Sequence, residues 1–358
     1  MLVLDDGWFG KRNNDRTSLG DWFVNREKLG DLPDLVRKIN QAGLKFGLWF
    51  EPEMVSEESE LFRAHPDWGI QIPGRRRTLG RNQMVLDMSR EEVVEEVFRM
   101  ISSILHSANI EYVKWDMNRN LTEVYSPALP ADQQGETAHR YVLGVYRLHE
   151  MLLREFPNLL IEGCSGGGGR FDAGILYYCP QIWCSDDTDA IERLAIQGGT
   201  SLFYPCSSMG AHVSVCPNHI TGRTTPFETR GYVAFCGTGG YELDLTKLNE
   251  EERDFVRSQV EQHHQYHDLV TEGTFYRLSD VFNGEERLSA WGLVSKDRRK
   301  AALIAVLRRM NVHMPALCVR LQGLDPKLRY RIQVLDKNRE YKLYGDTLMN
   351  AGFVLQDL

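Results

Sequence analysis

Short apolar runs that stop in polar or glycine-rich residues alternate with helical segments through roughly residue 270. That alternation restricts the chain to a parallel α/β architecture. The strand candidates are Leu2–Leu4, Lys45–Phe50, Tyr112–Trp115, Leu159–Ile161, Ile182–Cys184, Ser201–Tyr204 and Tyr232–Phe235. Seven strands are one short of a closed eight-stranded barrel, and the first begins almost at residue 1. The expected fold is therefore a (β/α)8-type barrel, incomplete at its N-terminus. Between the strands, Glu91–Ser107 and His139–Phe156 carry apolar stripes at three-to-four-residue spacing, and Pro157 closes the second. Both read as outer helices. From Thr274 the pattern changes to alternating strands, with turn signals at Phe282-Asn283-Gly284-Glu285 and Leu343-Tyr344-Gly345-Asp346. The expected division is a catalytic barrel over 1–272 and a C-terminal antiparallel β-sandwich over 273–358.

Composition removes several classes of function. Apolar residues make up 42% and charged residues 26%, as in soluble globular proteins, and no apolar run approaches membrane-spanning length. The net charge of −8 argues against nucleic acid or an anionic membrane as partner, since those need a basic surface. Cysteines at 164, 179, 184, 206, 216, 236 and 318 form no CxxC pair and no disulfide framework. Free thiols in a cytoplasmic protein are expected. There is no HExxH, GxSxG or phosphate-loop motif, so no metal or cofactor is expected; the His263-His264 pair and His267 read as a solvated helix face.

The chemistry concentrates where strands end. Side chains alternate along EYVKWDMNR (111–119), so Lys114, Asp116 and Asn118 share one face. A carboxylate beside a lysine stays ionised, which suits a nucleophile, although a buried salt bridge is the plainer alternative. In WCSDDTDAIERL (183–194), Asp187 or Thr188 could cap the following helix, capping is the plainer reading for at least one of Asp187 and Asp189, and Asp186 comes first after the strand. Neighbouring acids would raise its pKa, as a general acid requires. Acids from two different strands fit a glycosidase.

Further residues could complete a sugar pocket. In KFGLWFEPEM (45–54), Trp49 and Glu51 share a face with Gly47, which places an indole either against a pyranose ring or in the core. Asp5 and Asp6 offer acceptors to sugar hydroxyls, unless the turn at Gly7 claims one of them. The run EGCSGGGGRFD (162–172) lets backbone approach a ligand closely.

Six motifs in order, LDDGWFG, GLWFEPEMVS, KWDMNR, CSGGGGRFD, SDDTDAIERL and GAHVSVCPNHITGR, resemble glycoside hydrolase family 36. The resemblance implies a retaining α-galactosidase with Asp116 as nucleophile and Asp186 as proton donor, about 5–5.5 Å apart. It implies galactose-binding roles for Asp5, Asp6, Trp49, Arg81, Lys114, Asn118, Cys164 and Gly167. It implies melibiose- or raffinose-type substrates, no cofactor, a homotetramer, and an N-terminal β-sandwich and first barrel strand preceding this sequence. The loop at Cys164 is expected to leave no room for a 2-acetamido group. The alternatives are a galactosyl transferase of the raffinose- or stachyose-synthase type and an inactive fragment.

Overall fold

The computed structural model describes residues 1–355 apart from 281, 283–286, 311, 314, 336 and 338. It divides into two units, Met1–Trp183 and Cys184–Leu358.

The first unit is a parallel sheet in the order β1 (Leu2–Leu4), β2 (Phe46–Phe50), β5 (Tyr112–Trp115), β6 (Leu160–Gly163) and β7 (Gln181–Trp183). A two-residue ribbon, β3 (Met54–Val55) with β4 (Met84–Val85), lies outside that sheet. The register sets Trp49 opposite Lys114 and Trp115 opposite Gly163. Helix Glu91–Ser107 matches its expected bounds and buries Val94, Val97, Ile101 and Ile104, the residues that formed its stripe. The next long helix spans Thr137–Glu155 and buries Tyr141, Val145, Leu148 and Leu152. It approaches its neighbour so closely at Gly144 that a Cβ there would lie 1.8 Å from the Met88 carbonyl oxygen. Trp8, Phe9, Trp22, Trp49 and Phe50 form an aromatic core around β2, with the Phe9 and Trp22 rings 4.5 Å apart.

The second unit opens with helix Ala190–Thr200 and contains the parallel pair β8 (Met209–Ser214) and β9 (Thr238–Glu242). These replace two expected strands. Residues 201–204 form turns, with the Phe203 N–H donating to Thr200 O, and Leu202 and Phe203 are exposed. Residues 232–235 belong to helix Phe227–Ala234 and its C-cap. Each was a short apolar run whose period cannot separate strand from helix. The true strand β9, TGGYE, lacks a β-branched cluster and forms through its ladder to β8.

Helix Glu250–Glu272 starts in a capping box in which Asn249 and Glu252 satisfy each other's backbone N–H groups. Beyond it lie antiparallel strands. β10 (Thr274–Arg277), β11 (Leu288–Val294) and β12 (Ala301–Leu307) form one sheet. β13 (Leu317–Val319) pairs with β16 (Phe353–Leu355), and β14 (Arg329–Val334) pairs with β15 (Arg339–Tyr344). The fold class is thus the expected one, parallel strands of the (β/α) barrel type followed by antiparallel β structure. The turn expected around residue 345 is instead the passage from β15 into helix Gly345–Asn350, and the one at 283–285 lies outside the described residues. Among the described residues, no helix is long and apolar enough to cross a membrane, and no group of three or more His, Cys, Asp or Glu residues is placed to hold a metal ion.

Candidate active site

Asp116 follows β5 directly and is 6% exposed. Its backbone N–H donates to Phe50 O at 2.8 Å, which continues the parallel ladder one residue past β5. One carboxylate oxygen accepts the Met117 N–H at 2.8 Å and the Gly166 N–H at 3.3 Å. The other accepts Trp49 Nε1–H at 3.2 Å and Asn118 Nδ2–H at 2.6 Å. Four neutral donors therefore hold the carboxylate.

The shared face of Lys114, Asp116 and Asn118 is used differently from the sequence expectation. Asn118 does reach Asp116, but the direct ion-pair partner of Lys114 is Asp5, at 2.8 Å. Burial works to lower the lysine pKa, yet Asp5 outweighs it and the ammonium is held above its ordinary value. Its Nζ also lies 5.6 Å from the centre of the Trp183 ring. Lys114 and Asp116 thus do not form the buried salt bridge that was the plainer alternative; the lysine pairs with the exposed Asp5 instead.

Asp5 also accepts the Asp6 N–H at 2.8 Å, which realises the turn-stabilising alternative for that side chain. Asp6 is gripped by the buried guanidinium of Arg12, with Nη2 to Oδ2 at 3.0 Å. Trp49 is 2% exposed and packs against Phe9 and Trp22 while its N–H meets Asp116, so it is both a core residue and a donor in the site. Arg81 is exposed and adopts φ +52°, with a favourable electrostatic interaction with Glu51.

The glycine-rich segment curls beneath Asp116. Cys164 N–H donates to Trp115 O at 2.7 Å, and Ser165 N–H donates to Gly167 O at 2.9 Å. Gly166 and Gly167 have φ +52° and +88°, a left-handed turn that aims the Gly166 N–H at Asp116. The Cys164 thiol is buried, and that burial together with Asp116 pushes its pKa well up, so it is a neutral wall group.

Asp186 lies in the second unit, within Cys184–Asp189, and is exposed. Its neighbours have other tasks. The Asp187 carboxylate accepts the Asp189 N–H at 3.0 Å, and of the capping candidates Asp187, Thr188 and Asp189 it is Asp189 that caps the helix, accepting Ile191 N–H at 2.8 Å. Burial works to raise the Asp189 pKa, but Thr221, the cap hydrogen bond and Arg223 outweigh it and keep the carboxyl low.

Several residues here escaped the sequence reading. Glu51 shared the Trp49 face but was given no role. It is fully buried, with one oxygen accepting the Asn118 backbone N–H and the other Gln83 Nε2–H at 3.1 Å. Glu53, two residues on, is also fully buried and accepts from Trp115, Tyr141 and Arg170. Two-residue spacing placed Glu51 on the site face, so it could have been found; Glu53 and Arg170 had no local signal.

An anion, an amide and a cation gathered where parallel strands end form the kind of arrangement at which barrel-type α/β enzymes place their active sites. Comparison with known proteins makes the class specific. The family model described as Melibiase matches residues 1–273, and that of the glycosyl hydrolase family 36 C-terminal domain matches residues 288–358. The chain belongs to glycoside hydrolase family 36. It is 54% identical to alpha-galactosidase AgaA of Geobacillus stearothermophilus over 99% of this chain and 48% of that protein. It is 51% identical to the bifunctional alpha-galactosidase/sucrose kinase AgaSK of Mediterraneibacter gnavus, over 99% of this chain and 37% of that one. The crystal structure of AgaA matches with a TM-score of 0.95 at 52% identity, over 99% of this chain and 49% of that chain. A substituted AgaA in complex with raffinose matches with the same TM-score at 51% identity, again over 99% of this chain and 49% of that chain. The chain spans about half the length of AgaA, or less of the bifunctional protein.

Proposed function

We propose that this chain forms the catalytic part of an α-galactosidase that releases terminal non-reducing α-D-galactose from melibiose, raffinose and related oligosaccharides with retention of configuration. Asp116 is the nucleophile and Asp186 the general acid and base. The observation that carries this is the environment of Asp116, a nearly buried carboxylate held by four neutral donors with its charge unspent on a contacting cation. Such an anion is fixed in direction yet able to attack an anomeric carbon. Asp5, Asp6, Trp49, Arg81, Lys114, Asn118, Cys164 and Gly167 are the galactose-binding residues, and the Cys164 wall excludes a 2-acetamido group. The names of the relatives support hydrolysis, and nothing in the site favours transfer to a sugar acceptor over water.

Residues 1–272 are read as the catalytic barrel and 273–358 as the C-terminal β-sandwich, a reading supported by the family matches over 1–273 and 288–358. Seven unbridged cysteines favour a cytoplasmic site of action. A homotetramer is the assembly to look for by light scattering.

The decisive experiment is chemical rescue. Asp116→Gly should lose turnover and regain it with azide, giving β-galactosyl azide; an α-azide product or undiminished activity defeats the assignment. Asp186→Ala should slow substrates with poor leaving groups by about 10²–10⁴-fold while sparing activated aryl galactosides. Equal loss on both would make Asp186 structural.

A further inference from the structure

Glu51 is a fully buried acid that the proposed chemistry leaves idle. It follows β2, two residues beyond Trp49, and it reaches two other segments of the chain. One carboxyl oxygen takes the backbone N–H of Asn118, and the other takes the side-chain amide of Gln83 at 3.1 Å. Asn118 in turn aims its Nδ2 at Asp116, 2.6 Å away. This one residue is therefore fixed from two sides, its backbone by Glu51 and its side chain by Asp116.

The two acids have unequal company. Among the described residues Asp116 receives four hydrogen bonds, whereas Glu51 receives those from Asn118 and Gln83. The charged groups bearing on Glu51 are Asp116 at the end of β5 and Arg81 in the loop before β4. Burial and a neighbouring carboxylate both disfavour a charge on Glu51, and the guanidinium of Arg81 opposes them.

We propose that Glu51 is a positioning residue that, as a neutral carboxylic acid, locks Asn118 so that its amide points at Asp116. The proposal rests on the reading of Asp116 as nucleophile. Burial, and after it the charge of Asp116, pushes the Glu51 carboxyl up to about 8, against the opposing hydrogen bonds from Asn118 and the pull of Arg81. At neutral pH it is protonated. Gln83 is suited to receive that proton's hydrogen bond: its Oε1 is buried without a partner, and turning the amide over presents this carbonyl to the Glu51 hydroxyl.

Two measurements on the full chain test this. In infrared difference spectra, a protonated-carboxyl band should be present at pH 7 and disappear with a midpoint near 8. The near-isosteric Glu51→Gln variant should lack it. In kinetics, Glu51→Ala should lower kcat about 100-fold with little change in KM, because Asn118 loses its anchor. Glu51→Gln should restore most of that loss, since a neutral amide still accepts the Asn118 N–H. The proposal is overturned if no protonated band is lost in Glu51→Gln, if Glu51→Ala turns over like the unaltered chain, or if folded Glu51→Gln is as slow as Glu51→Ala. Azide rescue of Asp116→Gly reports on the nucleophile alone, so its failure would leave the infrared result standing.

Discussion

Asp116 and Glu53 are both buried carboxylates with several donors, and those donors differ in charge. Glu53 is met by the Arg170 guanidinium at 2.8 and 2.9 Å, by Tyr141 Oη–H at 2.6 Å and by Trp115 Nε1–H at 2.8 Å. Asp116 is met by an indole, an amide and two backbone N–H groups, none of them charged. A carboxylate neutralised by a guanidinium is a brace. Here it ties the Arg170 end of the glycine-rich segment to the chain after β2, which holds Gly166 under Asp116. A carboxylate held by neutral dipoles keeps its charge for an incoming carbon. On the reading of Asp116 as nucleophile, electrostatic company, more than burial, separates the brace from the reacting group.

The largest effect should come from exchanging charge for shape at Asp116. Asp116→Asn should cost on the order of 10⁴-fold in kcat while leaving the thermal midpoint nearly unchanged, and Glu53→Gln should show the reverse balance. If Asp116→Asn unfolds the protein while keeping its rate, the contrast fails.

Arg170→Leu should come next, with a loss of about 3–5 kcal/mol in urea unfolding, because Glu53 is left buried without its cation. Acid sharpens this test. Burial works to raise the Glu53 pKa, but Arg170, Tyr141 and Trp115 outweigh it and hold the folded value below the ordinary 4.5. A depressed folded pKa means that the stabilisation is complete above the unfolded value and is lost as pH falls through the folded one. Without Arg170 burial dominates and the folded value rises above 4.5, so the sign reverses: the deficit of the variant should shrink as pH falls and Glu53 takes up a proton, as urea midpoints between pH 7 and pH 4 would reveal.

Trp49→Phe removes one neutral donor from Asp116 while keeping an aromatic ring in the core. The expected cost is about 1.5–3 kcal/mol of transition-state stabilisation, seen as a roughly 10- to 100-fold fall in kcat/KM. An unchanged rate would mean that the indole N–H merely satisfies itself. Smallest of all, Tyr141→Phe should cost about 1 kcal/mol of stability, since two other donors remain on Glu53, and should leave kcat alone. A large kinetic effect there would show that the brace transmits strain to the nucleophile.

The two-residue period of a strand put Lys114, Asp116 and Asn118 on one face, and apolar stripes located the helices Glu91–Ser107 and Thr137–Glu155. Those patterns are local, so the sequence by itself determined them. It could not tell 201–204, which form turns, or 232–235, which end a helix, from strands, because the ladder that decided lies at 210–214 and 238–242. Nor could it say which charges would meet. Lys114 chose Asp5, 109 residues away, over Asp116 two residues along, and Glu53 found Arg170 across 117 residues. Period fixes the direction in which a side chain leaves the backbone, but its partner is whatever the packed chain brings to that point, and only the tertiary structure decides that.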